Sequence, residues 1–287
     1  MEEEVKNIKM LIIPDVHGRG FWRDVIKGNE DKDIIFLGDY FDPYSNENLY
    51  QSDAIKEYKD IIEFKRNHYH NVTLLLGNHD LGYVYPSLKY VSRHDWHNED
   101  EIRNLILENK DCFDLAAERT INYKRFFFTH AGLHLGWLNT YAKSMLSSFF
   151  DEEGNAEWNR VRGDGINCAF HVDLNHCIAD NDFSMSIFGE ILGIHSFYRG
   201  GFENYGSPIW ADIREFDSTE YYNTNDSENP IIQIVGHTQV DNPLAVNNVY
   251  CLDARCGFYI NSDGDVKPLD SGIEIARFES KKEQNVR

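Results

Sequence analysis

The sequence predicts an α/β fold built around a largely parallel β-sheet. In the first 80 residues, three short apolar runs each end in a glycine or proline that is followed at once by polar residues: Met10–Ile13, Ile34–Leu37 and Val72–Leu76. Runs this short and this apolar are typical of strands buried on both faces. A helical pattern separates the second and third runs. Strand–helix–strand units of this kind predict parallel strands joined by crossovers.

Two segments have the spacing of amphipathic helices. Ser52 is a candidate N-cap for a helix that carries Ile55, Tyr58 and Ile62 on one apolar face. Residues Asn98–Asn109 form the second predicted helix.

Strand-like runs return later in the chain. Arg125–Thr129 (RFFFT) and Ile231–Val235 (IIQIV) are mostly apolar, and polar residues follow them as they follow the first three runs. From Val249 onward the pattern is typical of hairpins, with a turn at Ser262–Asp265.

The stretch from 133 to 206 has a different pattern. Helical segments at His134–Phe150 and Phe183–Ile194 are separated by polar loops with glycine, such as Arg162–Gly165. We interpret the stretch as a helical insertion or cap, because strand-like runs resume on its far side. The length of 287 residues fits one large domain, and we predict a single domain over residues 1–287.

Composition and charge exclude several classes of protein. The 48 acidic side chains outnumber the 28 basic ones, so the formal net charge is −20 and binding to duplex nucleic acid is not expected. No apolar run reaches the roughly 18–20 residues of a membrane span. The acidic start, Met1–Lys6, is unlike a signal peptide. Five cysteines without a CxxC pair predict reduced thiols and a cytoplasmic protein.

Nitrogen and oxygen donors follow the five strand-like runs. They are Asp15, His17, Asp39, Asn78, His130 and His237. Because parallel strands bring their carboxyl ends to one edge of a sheet, we expect these donors to converge. Carboxylate, imidazole and amide oxygen suit divalent Mn, Fe or Zn. Six donors are too many for one tetrahedral zinc, and they fit two ions about 3.5–4 Å apart that share Asp39.

Each donor alone also has a structural explanation. Asp and Asn are common in turns and helix caps after strands, and a single His is often a packed or exposed residue. No shared structural requirement explains the whole set in this order, so the joint pattern favours a metal site.

The motifs around these donors resemble those of a known superfamily. They are Asp15–Gly18 (DVHG), Gly38–Asp42 (GDYFD), Gly77–Asp80 (GNHD), Thr129–Gly132 (THAG) and Val235–Thr238 (VGHT). The set resembles the calcineurin-like metallophosphoesterases. It is most similar to the serine/threonine phosphoprotein phosphatase branch and its bacterial relatives, which include diadenosine-tetraphosphate hydrolases. The resemblance implies a four-layer αββα sandwich of two mixed β-sheets.

The resemblance also implies roles for individual residues. The first three of the six donors would hold one ion, and Asp39 with the last three would hold the second. His79 would be the general acid for the leaving oxygen, oriented by Asp42. The implied cofactors are two divalent ions, Mn first and Fe or Zn as alternatives, and a hydroxide held between such ions is available near neutral pH.

One departure from the branch concerns phosphate binding. The branch has an arginine after the GDxxD aspartate, whereas Pro43 and Tyr44 stand there in this sequence. Because arginine is the best protein donor for phosphate, another arginine is expected to take this role. The candidates, in order, are Arg19, Arg214, Arg255, Arg199, and Arg160 or Arg162.

The sequence therefore predicts a hydrolase of phosphomonoesters or of small nucleotide phosphoanhydrides. Its substrate would be a phosphorylated small molecule, a nucleotide or a phosphoprotein; the oligomeric state is not indicated. One alternative is a phosphodiesterase or nuclease on the same core, which the acidic charge and Gln239 in place of a second histidine disfavour. The other is a non-catalytic scaffold, which the complete set of donors and His79 disfavours.

Overall fold

The protein is a sandwich of two mixed β-sheets. The computed structural model describes residues 7–89, 91–217 and 231–277. The predicted absence of a signal peptide concerns Met1–Lys6, which lies outside the described residues.

The described residues form twelve strands. In chain order they are β1 (Ile8–Ile13), β2 (Asp33–Phe36), β3 (Val72–Leu75), β4 (Phe113–Asp114), β5 (Ala116–Ile121), β6 (Lys124–Thr129), β7 (Ile231–Val235), β8 (Leu244–Val246), β9 (Val249–Cys251), β10 (Phe258–Asn261), β11 (Val266–Pro268) and β12 (Ala276–Arg277).

The strands divide equally between the two sheets. The first sheet has the order β11-β10-β1-β2-β3-β4, and the second has the order β12-β8-β9-β7-β6-β5. In the first sheet β1 to β4 run parallel, while β10 pairs antiparallel with β1 and β11. In the second sheet β7 runs parallel to both β6 and β9; β5 and β8 add to these antiparallel, and β12 pairs parallel with β8.

Seven α-helical segments accompany the sheets in the described ranges. They are α1 (Trp22–Ile26), α2 (Gln51–Asn67), α3 (Asn78–Leu81), α4 (Glu99–Glu108), α5 (Leu135–Trp137), α6 (Gly163–Asp180) and α7 (Ile187–Leu192). None of the described helices is long and apolar enough to cross a membrane.

Alternation along the strands separates two apolar layers. On β1, Met10 and Ile12 pack with Phe126 and Phe128 of β6, in a cluster that fills the space between the sheets. The intervening side chain of Leu11 belongs to the outer cluster, which includes the helices. Burial on both faces explains why the strand runs are apolar throughout rather than alternating. The α/β sandwich predicted from the sequence is confirmed.

The two predicted helices before residue 110 are confirmed as α2 and α4, but the predicted cap of α2 is wrong. The helix begins at Gln51, so Ser52 lies inside its first turn. The Asp53 carboxylate instead accepts a hydrogen bond from the Tyr50 amide at 2.8 Å, which pairs one N–H group at the start of the helix.

The prediction for residues 133–206 is partly wrong. His134–Phe150 is not one helix: α5 is followed by a π-helical turn at Leu138–Ala142 and a 3-10 turn at Ser147–Phe149. The second predicted segment shortens to α7. The polar stretch expected to be a loop, Arg162–Gly165, instead contains the start of α6, which is the longest of the described helices.

Tertiary contacts explain why α6 begins among polar residues. The Glu118 side chain on β5 accepts a hydrogen bond from the Gly163 amide at 2.6 Å. One turn on, the Asn167 carboxamide bonds the Leu115 and Ala116 amides at 3.0 Å each. These bonds join residues about 45 to 52 positions apart, so no local pattern announces them.

The expectation of one largely parallel sheet is also corrected. The strands that deliver the predicted donors are β1, β2 and β3 in one sheet and β6 and β7 in the other. The predicted C-terminal hairpin is present as β10 and β11, joined across Ser262–Asp265.

Candidate metal centre

The donors that follow the five strands meet where the two sheets share an edge. The side chains brought together are Asp15, His17, Asp39, Asn78, His130 and His237. All are buried except His237, which is half-buried.

The backbone at three of these positions is left-handed. The φ angles are 43° at His17, 53° at Asp39 and 62° at His237. Residues other than glycine rarely adopt such angles, and those that do concentrate at functional sites. The sharp turns follow the strands directly and bring the donors to the shared edge.

One group of donors lies on the side of the first sheet. His17 Nε2 is 3.5 Å from Asp39 Oδ2 and 4.0 Å from Asp15 Oδ2. His17 Nδ1–H donates to the Phe41 carbonyl at 2.6 Å, so the other ring nitrogen is left to face the carboxylates.

A second group lies toward the second sheet. Asn78 Oδ1 is 3.1 Å from His130 Nε2 and 2.9 Å from His237 Nδ1, and the two ring nitrogens are 3.2 Å apart. His130 Nε2 is also 3.5 Å from Asp39 Oδ2. His130 Nδ1 bonds the Leu37 carbonyl at 2.8 Å, so its Nε2 lone pair points into the group when the ring is neutral.

Backbone amides and glycines leave room for these carboxylates. The His79 amide donates to Asp39 Oδ1 at 2.9 Å, and the His237 amide donates to Asp15 Oδ1 at 3.0 Å. A Cβ at Gly77 would overlap Asp39 Oδ1, and one at Gly236 would overlap Asp15 Oδ1. Only glycine therefore fits at these two positions without moving a carboxylate.

The carboxylates at this edge are crowded and buried. Burial, and then the neighbouring Asp253 carboxylate, raise the pKa of Asp15 well above its ordinary value. Burial and Asp39 raise the pKa of Asp80 to about 8, and burial raises that of Asp253 to about 6. A buried carboxylate stays ionised only where hydrogen bonds or positive charge stabilise it, and it otherwise takes up a proton.

Burial and the buried carboxylates also shift the pKa values of the imidazoles around Asp39. Burial opposes a charge on His130, but the Asp39 and Asp15 carboxylates outweigh it and raise the pKa of His130 to about 10. Burial raises the pKa of Asp39, but His130 and His79 outweigh it, so that this pKa lies well below its ordinary value. Burial lowers the pKa of His17 and of His237, which favours the neutral imidazole that metal binding requires.

The residues present fit a divalent metal. The donors are carboxylate, imidazole and amide oxygen, which are the ligands of Mn, Fe and Zn. Among the described residues, His237 Nε2 and Asp253 Oδ1 are buried without a hydrogen-bond partner. Two groups of side chains could hold an ion: Asp39 with His130 and His237, and Asp39 with His17 and His79.

His79 belongs to the edge of this site and also bonds Asp42. Its Nδ1 is 2.7 Å from Asp42 Oδ2. The other oxygen of Asp42 accepts a hydrogen bond from the Tyr83 hydroxyl. The backbone of Asp42 is left-handed, with φ of 59°.

Two of the first three arginines predicted to bind phosphate, Arg19 and Arg255, lie together. Arg19 Nε is 2.6 Å from Glu47 Oε2, and Arg255 Nε is 3.0 Å from Glu47 Oε1. Arg19 also donates to the Asp15 carbonyl at 3.3 Å, which places it beside the donors of the first sheet.

The third arginine lies elsewhere. Arg214 Nε bonds Asp212 Oδ1 at 2.7 Å, and its side chain is 58% exposed. The other oxygen of Asp212 is 3.0 Å from Arg199 Nε, and Arg199 also bonds the Thr238 hydroxyl. Arg199 is thus next to His237, whereas Asp212 separates Arg214 from Arg199.

Sequence reasoning did not assign roles to several residues at the site. Asp80 ends the GNHD motif, and its carboxylate accepts hydrogen bonds from the Asp39, Tyr40 and Gly77 amides at 2.8 Å each. Arg93 donates to the Asp42 carbonyl at 3.0 Å and covers the ring of Tyr44 at 3.7 Å. The motif could have suggested Asp80, but no local signal marks Arg93.

Comparison with known proteins agrees with this geometry. The family model described as "Calcineurin-like phosphoesterase" matches residues 8–240. The chain belongs to the calcineurin-like phosphoesterase family. The resemblance stated from the motifs is therefore confirmed, and the family is one of metal-dependent phosphoesterases.

Two solved structures are similar to this family member. One is a serine/threonine phosphatase from Saccharomyces cerevisiae with similarity to human phosphatase PP5, at 16% identity and a TM-score of 0.41. The match covers 82% of this chain and 62% of the yeast chain. The other is the phosphatase domain of the Legionella effector WipB, at 15% identity and a TM-score of 0.41, with 73% of each chain covered. No curated protein matched the sequence.

Proposed function

We propose that this calcineurin-like phosphoesterase hydrolyses phosphomonoesters with two divalent ions that share Asp39. The observation that carries the proposal is the position of Asp39 Oδ2, 3.5 Å from both His17 Nε2 and His130 Nε2. One carboxylate oxygen between two groups of donors suits a shared ligand. We expect Mn²⁺ first, with Fe or Zn as alternatives. The proposed unit is a single domain with residues 133–206 as a helical insertion or cap.

The ligand assignment follows the two groups. Asp15, His17 and Asp39 would hold one ion, and Asp39 with the last three donors, Asn78, His130 and His237, would hold the other. Bound divalent ions make water available as a nucleophile near neutral pH and neutralise charge on phosphoryl oxygens. The His79 amide donates a hydrogen bond to Asp39 Oδ1, which leaves Asp39 Oδ2 between the two groups of donors.

His79 would protonate the leaving oxygen. Its Nδ1–H donates to Asp42, so its Nε2 is the ring atom left to carry a proton toward substrate. A carboxylate behind an imidazole also occurs where the imidazole binds a metal, and His79 lies near His17 and Asp39. His79→Asn separates the two roles: loss of an acid leaves the metal content unchanged, whereas loss of a ligand lowers it.

Arginines on both sides of the donors would contact the anionic substrate. Arg19 lies beside Asp15 on one side, with Arg255 on the same Glu47 carboxylate, and Arg199 lies beside His237 on the other. A guanidinium has five N–H donors, so a shared carboxylate partner leaves N–H groups for phosphate. Arg214 would act indirectly, because its side chain is 58% exposed and Asp212 lies between it and Arg199.

The test is p-nitrophenyl phosphate hydrolysis with Mn²⁺ and after chelation. Asp39→Asn and His237→Ala are expected to lower kcat/KM at least a hundredfold, because each removes a ligand of the proposed ions. Matched controls are Asp31→Asn and His176→Ala, whose side chains are exposed. Activity that survives chelation, or that survives both ligand variants, would refute the proposal.

A second substrate separates this function from its nearest alternative. Bis-p-nitrophenyl phosphate is a diester with the same leaving group, so a monoesterase should prefer p-nitrophenyl phosphate. A preference for the diester would instead identify a phosphodiesterase on the same core.

A further inference from the structure

We infer that Tyr83 is a positioning residue that holds Asp42, and through it His79, in the orientation needed for proton transfer. The inference rests on the proposed function, since it concerns the residue proposed as the acid. The Tyr83 hydroxyl hydrogen-bonds Asp42, which in turn hydrogen-bonds His79. Tyr83 therefore acts on His79 only through Asp42.

Hydrogen bonds connect the Asp95 amide, Tyr83, Asp42 and His79 in series, and the direction of each bond is fixed. The Asp95 amide donates to the Tyr83 oxygen at 2.9 Å, and an amide N–H can only donate. The single proton of the Tyr83 hydroxyl therefore goes to Asp42 Oδ1. Asp42 Oδ2 accepts from His79 Nδ1–H at 2.7 Å. With Nδ1–H committed to Asp42, Nε2 is the ring nitrogen left to carry the proton that His79 would donate to the leaving group.

Asp42 needs support from outside its own segment. Its backbone is left-handed with φ of 59°, and Pro43 follows it, a neighbour that favours extended backbone. Arg93 donates to its carbonyl at 3.0 Å, and its amide donates to the Gln51 side chain at 3.2 Å. These bonds fix only the main chain. Among the described residues, the partners of the carboxylate are Tyr83 and His79.

The ring of Tyr83 is itself immobilised. Its exposed fraction is 2%, and the His94 ring stacks on it at 4.2 Å between centroids. Trp96 packs against His94 at 4.5 Å, and Phe41 lies against Tyr83 edge to face at 5.8 Å. Burial and the Asp42 carboxylate raise the pKa of Tyr83 well above its ordinary value, so the hydroxyl remains a donor. A fixed donor of this kind restricts Asp42 to one rotamer.

The experiment compares two leaving groups in Tyr83→Phe. Nitrophenolate leaves without help from an acid, whereas phenolate depends on protonation. Tyr83→Phe keeps the packed ring and removes only the hydroxyl. We expect kcat for phenyl phosphate to fall about tenfold and kcat for p-nitrophenyl phosphate to fall about twofold or less, with the metal content unchanged.

Tyr85→Phe is the matched control. Tyr85 is equally buried, and its hydroxyl bonds Asp173 at 3.0 Å, away from the donors. We expect Tyr85→Phe to keep the wild-type ratio of the two rates. In an Asp42→Asn background, Tyr83→Phe should change that ratio no further, because Tyr83 acts through Asp42.

The outcomes distinguish this inference from the proposed function. Wild-type protein without chelator-sensitive hydrolysis refutes the proposed function and the inference with it. If the wild type is active and His79→Asn selectively slows phenyl phosphate, the proposed function stands. An unchanged rate ratio in Tyr83→Phe then overturns the role of Tyr83, and so does an equal loss on both substrates.

Discussion

Asp39 combines two contacts that no other donor combines. Its Oδ1 accepts a hydrogen bond from the His79 amide, while its Oδ2 is equidistant from two histidines. Asp80 holds the surrounding turn through the Asp39, Tyr40 and Gly77 amides. The position of Asp39 therefore depends on the backbone that follows β3, at Gly77 and His79. It also depends on the absence of a side chain at Gly77.

Gly77→Ala tests that dependence. The new Cβ would overlap Asp39 Oδ1 and lie 2.7 Å from His130 Cε1, so one of the two donors has to move. We expect at least a tenfold loss of metal affinity and a comparable loss of kcat. Mutation of residues that orient metal ligands commonly has effects of about this size. Metal affinity is measured by titration of the chelated protein with Mn²⁺.

Gly163→Ala is the control for that variant. A Cβ there meets only ordinary contacts, at 3.5 Å from Ala116 and Ala117. Equal behaviour of Gly77→Ala and Gly163→Ala would show that Asp39 is not held as tightly as the packing implies.

The sequence predicts a residue at the site when a short motif around that residue marks it. The six donors follow apolar runs within short motifs, so their chemistry could be deduced without knowing the sheets. Tyr83 and Arg93 contact Asp42 from 41 and 51 positions away. Their residue types are ordinary for their surroundings, so only the fold reveals what they touch.

At the scale of elements, Glu215 organises the segment that places Arg199 beside His237. Its carboxylate accepts hydrogen bonds from the Gly206 and Asp212 amides at 2.8 Å each and from the Ser196 hydroxyl. The side chain is buried, and burial raises its pKa above the ordinary value.

This shift predicts how stability depends on pH. A carboxyl group whose pKa is raised by folding binds protons more readily in the folded state, so its contribution to stability falls as pH rises through that pKa. Glu215→Gln lacks this titration. The free energy of unfolding of the variant, relative to wild type, should therefore increase from about pH 4 to pH 7. Urea unfolding at several pH values measures it, and a relative stability that decreases over this range contradicts the account.

The elements that local patterns predicted best were those with buried apolar periodicity. The strands and α2 combine such periodicity with turn residues, whereas α6 begins at Gly163 because Glu118 satisfies its amide. Local pattern therefore does not predict the start of α6, because tertiary hydrogen bonds rather than local preferences set it.

At the scale of the whole molecule, the site depends on two sheets meeting at one edge. Met10 and Ile12 of one sheet pack with Phe126 and Phe128 of the other. Periodicity shows that each run is buried but cannot assign runs to sheets, so one sheet was expected from the residues. The two-sheet arrangement followed only from the family resemblance.

The net charge of −20 also acts on the whole molecule. Excess like charge destabilises a compact state, and salt screens it over about 10 Å at 0.1 M. We expect the Tm of the chelated protein to rise when NaCl increases from about 20 mM to about 200 mM. Differential scanning calorimetry measures the shift. A Tm that falls with added salt would indicate that specific ion pairs outweigh the net repulsion.

The central claim is that two divalent ions share Asp39, and the metal stoichiometry tests it most directly. Elemental analysis of Mn²⁺-loaded protein, combined with electron paramagnetic resonance, counts the ions and shows whether they are magnetically coupled. The account predicts two coupled Mn²⁺ ions per chain, and loss of the coupling in Asp39→Asn. A fully active protein with no bound metal, or with ions that show no coupling, would contradict it.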